Sequence, residues 1–322
     1  MRPRLLATWL GVLLVAPVLT WLGVIAFERG IGTDLSVRYG GQVWIPIDAG
    51  TPWLAKSVRL ALSRTPPNAT PGGMTWRTIA PGFEVAELPV LAGGGEVDRI
   101  LLARIDPARY HFVVRNDPAG RHNLQRWMHD LHPALAVNGS FYGRDGRPAT
   151  PAVSDGMPIG PAAYTARQGA FVSSPAMTAI HDLAHEDWRE SFKGADAAMV
   201  SYPLLLAADG SSRVGADSGW LANRSFIGQD REGRIIIGTT KGAFFSLKRL
   251  ADFLKRTPLD LKLALDLDGG PVACQGVDLN GFRRTTCGHW EIQVDRDGRA
   301  KMLPTSPIGQ PSMPMVLAVY PR

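Results

Sequence analysis

Between Arg4 and Glu28 the chain carries no charged side chain: the 23 residues LLATWLGVLLVAPVLTWLGVIAF, positions 5–27, are apolar on every face. A helix needs about 20 such residues to cross a hydrocarbon core. A cleaved secretion signal has a shorter apolar stretch and a small-residue cleavage site, and no clear A-x-A follows here, where the run ends VIAFERG. Pro17 in mid-run is tolerated in a membrane-spanning helix. Residues 1–27 therefore read as an uncleaved signal anchor, one transmembrane helix; a cleaved signal and a buried core helix are the competing readings. With Arg2 and Arg4 kept on the cytoplasmic side, the expected location is the inner (cytoplasmic) membrane, single-pass, with the globular domain on the periplasmic or extracellular side.

The remainder can build a core, since 45% of the sequence is hydrophobic and 20% charged. Net charge is +6. Lys and Arg are scattered, with no basic helix and no aromatic-interleaved basic patch, so nucleic acid is not an expected partner. Cys274 and Cys287 flank the loop QGVDLNGFRRTT. In an oxidising compartment they can close a disulfide; the alternative is two free buried thiols. No CxxC or Cys/His zinc spacing exists.

Residues 28–73 read as a stalk or linker, with a short helical piece and then TPPNATPGG, which is loop chemistry. The folded domain is expected over 74–322. Short apolar runs punctuated by Pro and Gly predict strands at 99–105, 110–115, 134–138, 169–174, 197–206, 234–240 and 261–267. Helices are fewer. Ser246 can cap SLKRLADFLKR, with Pro258 as the stop, and RHNLQRWMHDLH (121–132) ends at Pro133. The class is α+β, a strand-rich mixed-sheet domain with few helices.

Each predicted helix feeds a strand that runs abruptly into polar and glycine residues. Asn138, Gly139 and Ser140 end ALAVNGS; Asp266, Asp268, Gly269 and Gly270 end LALDLDGG. Polar groups at strand ends can converge on a cleft that the strands hold rigid. Strand alternation puts Asp266 and Asp268 on one face. Two adjacent carboxylates raise a pKa unless a cation or proton lies between them, which is how an acid/base pair or a metal site is built. The competing reading is a plain D-G-G turn with Asp268 capping its own backbone.

NGSFYGRDGRPATPAVSDG resembles the NGGFF…DGRP…DG stretch of the phosphodiester glycosidase family. ANRSFIGQDREGRIIIGTTKG is similar to that family's NPRTAIG-D--GR strand pair, and LALDLDGGPVACQG to its LNLDGG(G/P)S block, with the helix SLKRLADFLKR before it. The resemblance extends over about residues 75–322. Departures fall at Ser140, Tyr142, Ala222, Asn223, Asp266 and Val272; Arg224 and Ser225 match. The GGP variant is of a bacterial type.

The resemblance implies an enzyme that hydrolyses a sugar C1–O–phosphate linkage, a role suited to cell-envelope or exopolysaccharide metabolism. Its substrate partner is a sugar-phosphodiester or phosphoglycan, and no cofactor is required. Arg224 is the candidate phosphate ligand, because a guanidinium fork can hold two phosphate oxygens. Asp268 is the candidate nucleophile or general base, and Asp155, in VSDGM, the second carboxylate, since glycosidases commonly use two. Asn138 can orient a sugar hydroxyl, with Ser140 and Ser225 as further polar groups. Gly139, Gly269 and Gly270 allow close approach to the backbone. Phe141, Tyr142 and Trp220 offer stacking faces. Two other functions stay open: a non-catalytic glycan or phosphoglycan binder, and a phosphodiesterase using a divalent metal at Asp266 and Asp268. His181 and His185 lack an HExxH context and read as a surface turn.

Overall fold

The computed structural model describes residues 44–288, 290–295, 297–304 and 311–322. The expected anchor at 1–27 lies outside the described residues; among those described, no helix is long and apolar enough to cross a membrane. Among the described residues the strands form four sheets and only four short α-helices appear, in keeping with a strand-rich α+β domain.

The largest sheet has eight strands, with Leu261–Asp266, Ser225–Asp230, Ile235–Thr240, Gly95–Ile105 and Phe83–Ala92 as consecutive antiparallel neighbours. Residues 83–105 form its longest hairpin. The turn there carries Gly93 at φ 56° and Gly94 at φ 79°, the left-handed pair that matches strand twist and that glycine adopts without a Cβ clash. The sheet is apolar on both faces. Phe226, Ile236 and Ala264 enter one core cluster, while Ile227, Ile235, Ile237, Leu263 and Leu265 from the same strands enter the other. Period-two alternation thus delivers every second residue of each strand to a different core.

A five-stranded sheet packs through the second of these cores and orders Phe282–Cys287, Cys274–Leu279, Leu135–Asn138, Met315–Pro321 and Tyr110–Asn116. Another five-stranded sheet is built around Gly169–Ser173 and Ala197–Ser201. The run expected as one strand over 197–206 divides at Pro203, which has no N–H for a ladder. Ala197–Ser201 stays in that sheet and Leu204–Leu206 pairs with Leu261–Asp266. The fourth sheet is four-stranded, in the order Ile45–Ile47, Ala300–Pro304, Trp290–Val294, Leu221–Ala222.

Both expected longer helices form. Leu247–Leu254 is capped by Ser246, whose hydroxyl accepts the Arg249 N–H at 3.3 Å, and Leu124–Leu131 by Asn123, whose side chain accepts the Arg126 N–H at 2.8 Å. His122, at the start of the second, stacks on Trp127 and its Nδ1 meets Asp117 at 2.6 Å. Cys274 and Cys287 face one another across an antiparallel pair and are joined as a disulfide.

The stalk reading fails for its described part. Ile45–Ile47 pairs with Ala300–Pro304, and Ile47, Leu54, Val58 and Ala61 lie in the first core cluster. The linker-like composition of TPPNATPGG masks a segment whose apolar residues are spaced to cover a sheet edge; Thr70–Pro71 itself pairs with Phe83–Ala92. Leu54→Ala is therefore expected to cost about 2–4 kcal/mol, as for a core leucine, where a solvated stalk residue would change stability by less than about 0.5 kcal/mol. Urea melts of the soluble domain decide between them. Replacing both cysteines by serine is expected to cost about 2–4 kcal/mol in the same assay.

Candidate active site

Three sheets meet at one seam, and each sends a strand end to it. Leu221–Ala222 of the four-stranded sheet continues through Asn223 and Arg224 into Ser225–Asp230 of the eight-stranded one. Leu261–Asp266 leaves the eight-stranded sheet and, after Asp268, Gly269 and the turn Gly270–Val272, becomes Cys274–Leu279 of the first five-stranded sheet. Leu135–Asn138 of that sheet ends alongside. Backbone hydrogen bonds close the seam: Asp268 N–H donates to the Gly139 carbonyl (3.1 Å), Leu267 N–H to Ser225 (2.9 Å) and Gly270 N–H to Asn223 (2.8 Å).

Arg224 lies at the centre, 7% exposed. Its Nη2 donates to the Trp220 carbonyl at 2.8 Å, and its Nε is buried without a partner among the described residues. Burial lowers its pKa, and the fields of Asp266, Glu291 and Asp268 oppose that. Asp266, 1% exposed, is pushed well above the usual carboxylate range by burial; Arg224 draws it back and Asp268 adds to the rise. Asp268 is raised to about 7, chiefly by burial and then by Glu291. The Gly269 N–H, donating to its Oδ1 at 2.9 Å, and Arg224 work the other way. Glu291 is raised by burial, against Arg224 and a hydrogen bond with the Trp220 side chain. Three carboxyl groups thus share one guanidinium in a site that disfavours more than one or two negative charges, so protons are retained near neutral pH.

Asp266 and Asp268 share a strand face, as alternation requires, with Leu263, Leu265 and Leu267 on the other. Gly269 and Gly270 act through the space they leave. A Cβ on Gly269 would stand 3.1 Å from Arg224 Nη1, and one on Gly270, whose φ is 70°, 2.8 Å from Glu291 Oε2. Tyr142 is also drawn into the cluster: burial, then Asp268 and Glu291, raise its phenol. Tyr202 is raised by burial and then by Asp268, and it stacks on Phe141 with ring centroids 4.3 Å apart. That pair makes an aromatic wall beside the carboxylates.

Other expected site residues are placed differently. Asp155 sits in an exposed turn at φ 50° and pairs with Arg115 at 2.9 Å; the carboxyl group that acts on Arg224 and Asp268 besides Asp266 is that of Glu291. Asn138 is occupied by the protein. Its Nδ2 donates to the Asp268 carbonyl at 2.7 Å and its Oδ1 accepts the Cys274 N–H at 3.1 Å, so it sets the Asp268 backbone rather than a sugar hydroxyl. Ser140 donates to the Val200 carbonyl and Ser225 pairs with Thr239, both buried. Gly139 makes room for Met315, whose Cγ would lie 2.5 Å from an added Cβ. Trp220 holds Arg224 and Glu291 instead of offering only a stacking face. His181 pairs with Glu186.

Glu291 was not legible in the sequence. It reaches the seam because its strand places it opposite Ala222, a pairing that joins residues about seventy apart and leaves no local signature. Among the described residues no group of three His, Cys, Asp or Glu side chains converges to hold a metal ion.

Residues 132–277 match the family model described as phosphodiester glycosidase. This is the family whose motifs the sequence carries, a family of hydrolases acting on sugar–phosphodiester bonds, and the matched segment holds Asn138, Arg224, Asp266 and Asp268. Among solved structures, the fold is similar to the zebrafish N-acetylglucosamine-1-phosphodiester alpha-N-acetylglucosaminidase catalytic domain, auto-inhibited by its pro-peptide. The TM-score is 0.56 at 16% identity, over 78% of this chain and 88% of that one. A hypothetical protein from Synechocystis aligns with TM-score 0.49 at 15% identity, over 80% of this chain and 68% of that one. No curated protein matches the chain.

Raised carboxyl groups make stability depend on pH with a definite sign. The folded state holds a proton on Asp268 up to about 7, against 3.8 ordinarily. Its contribution to stability is complete below the ordinary value and is lost as pH rises through about 7. Asp268→Asn, which cannot ionise, is expected to be more stable than wild type at pH 8 by about 1–2 kcal/mol, with the gap closing toward pH 4. Denaturant melts at the two pH values measure it; equal stability at pH 8 would rule the assignment out.

Proposed function

We propose that this protein is an exported, membrane-tethered hydrolase that cleaves a sugar C1–O–phosphate linkage in cell-envelope or exopolysaccharide metabolism. The observation that carries the reading is the buried guanidinium of Arg224, with a partner-free Nε, set beside three carboxyl groups within the family-matched segment. Such a cation suits one phosphate group, whose oxygens can take the fork in a bidentate way. The carboxyl groups suit the anomeric carbon beside it.

In this reading Asp268 acts at C1, as nucleophile or as the base that takes a proton from attacking water. The C1–O bond breaks and its electron pair stays on the phosphate oxygen, so a phosphomonoester departs and water supplies the new hydroxyl of the sugar. Arg224 holds the charge that builds on phosphate, where a prearranged donor contributes most. Glu291 is the second carboxylate, and its field adds to the burial that brings Asp268 to about 7. Tyr202 on Phe141 offers a flat face to a sugar ring. The Leu5 to Phe27 run is the reason to place the domain outside the cytoplasm on a single anchor.

The test is turnover of a panel of sugar-1-phosphodiesters by the soluble domain, with and without chelator. Asp268→Asn is expected to remove nearly all turnover in a folded protein. Arg224→Lys is expected to lose at least about a hundredfold, since a point-charge ammonium cannot reproduce the fork. Near wild-type turnover by folded Asp268→Asn excludes the catalytic role. Separately, the full-length chain is expected in the membrane fraction; recovery as a soluble protein with an intact N-terminus excludes the anchor.

The same arrangement sets a pH profile. Glu291→Gln removes the charge that raises Asp268, so the acidic limb of the rate profile is expected to move below about 7. A limb that stays in place removes Glu291 from the site's electrostatics.

A further inference from the structure

Asp98 is a buried carboxylate, 5% exposed, on the strand Gly95–Ile105 and outside every motif that marks the active site. An interior carboxylate is costly unless strong donors satisfy it. Here the donors are peptide N–H groups, all on one oxygen; Oδ2 is buried without a partner among the described residues. Asp98 Oδ1 accepts from Gly242 at 2.6 Å, from Arg99 at 2.7 Å and from Lys241 at 3.0 Å. The reason is topological. The ladder between Ile235–Thr240 and Gly95–Ile105 ends at the pair Thr240 and Ile100. Beyond it the Lys241 N–H still donates to the Arg99 carbonyl at 3.0 Å and is shared with Asp98 Oδ1, while the Gly242 N–H leaves the ladder and is taken up by the same oxygen.

The residue just before that turn is the one that fixes Arg224. Thr240 N–H donates to the Arg224 carbonyl at 2.8 Å, and Thr240 Oγ1 accepts the Arg224 N–H at 2.9 Å. The Thr240 hydroxyl in turn donates to the Gly242 carbonyl at 3.3 Å, which leaves an oxygen lone pair facing Arg224. Gly242 is packed against the carboxylate: a Cβ there would lie 3.3 Å from Asp98 Cγ. A continuous set of hydrogen bonds therefore runs from Asp98 to Gly242, to the Thr240 hydroxyl and to the backbone of Arg224. Among the described residues the guanidinium makes one hydrogen bond, to the Trp220 carbonyl. Its direction is thus governed largely by where its backbone stands.

We propose that Asp98 is a positioning residue for the phosphate-binding arginine, acting through Gly242 and Thr240 to hold the main chain of Arg224. This rests on the proposed role of Arg224 and adds a residue from a different strand to it. Its carboxylate touches no substrate in this arrangement; what it supplies is an acceptor oxygen at a fixed point. Burial raises its pKa to about 7 against those backbone donors, in keeping with a group used as an acceptor rather than as a charge.

The experiment is titration of the folded soluble domain with inorganic phosphate by calorimetry, beside thermal melts and the turnover panel. Asp98→Asn keeps the acceptor oxygen and Thr240→Ser keeps the hydroxyl; both are expected within about twofold of wild type in phosphate affinity. Asp98→Leu and Thr240→Val remove one link each and are expected to weaken phosphate at least about tenfold, as a displaced binding group does. Should Asp98→Leu not fold, Thr240→Val carries the test, because valine nearly matches threonine in shape. Folded Thr240→Val that binds phosphate like wild type overturns the positioning role. So does Asp98→Asn that loses affinity as Asp98→Leu does, since the acceptor would then not be what matters. Wild-type protein that neither binds phosphate nor turns over any phosphodiester overturns the proposed function and this role with it.

Discussion

A guanidinium inside a protein needs both donors satisfied and charge offset, and the seam around Arg224 meets that need only in part. Among the described residues one nitrogen is tied to a carbonyl and one is left without a partner. The offsetting charge comes from three carboxyl groups that cannot all ionise beside a single cation. Burial, the largest cause for each, drives Asp266 toward its neutral form, brings Asp268 to about 7 and raises Glu291; Asp268 adds to the rise of Asp266 and Glu291 to that of Asp268. Bound phosphate would change this balance by adding oxygens to the arginine. The site is assembled in an electrostatically incomplete state, and a preorganised polar environment of that kind favours the ligand that completes it.

Delivering those groups to one place requires three sheets to exchange strands at one level. The chain crosses between sheets at Asn223–Arg224 and again at Asp268–Gly270, and the two crossings are hydrogen-bonded to each other. Neither crossing is a free loop. Asn138 ties the second to the strand Leu135–Asn138, and Thr240 ties the first to the turn held by Asp98. Both crossings are therefore held by hydrogen bonds that anchor their main chain.

Much of this was legible in the sequence, and the limits have physical causes. Alternating apolar runs gave strands that the structure has, and the Ser246 cap and the stop at Pro133 helped mark the two longer helices. The LDLDGG block marked Asp266 and Asp268, because strand ends that turn polar stand out locally, while Arg224 was reached only through the family resemblance of the ANRS block. Glu291 did not stand out, since what brings it to the site is its pairing opposite Ala222. Asp155 failed in the opposite sense: a local D-G signal is also the signature of an ordinary turn, and that is what it forms. Residues 44–73 were misjudged because proline and glycine suggest a linker, while the buried Leu54 and Val58 that decide the matter are sparse.

The glycines at the seam carry a consequence for how tolerance to substitution should be interpreted. A side chain on Gly269 would press on Arg224 and one on Gly270 on Glu291, while one on Gly288 would come within 2.3 Å of the Gly270 carbonyl oxygen. None of the three donates a proton, attacks a bond or carries charge. In a survey of random variants they would nonetheless be as intolerant as the groups that do. What such a survey would record at these positions is the shape of an absence: volume the chain must leave unfilled so that an arginine and a glutamate can stand where they do.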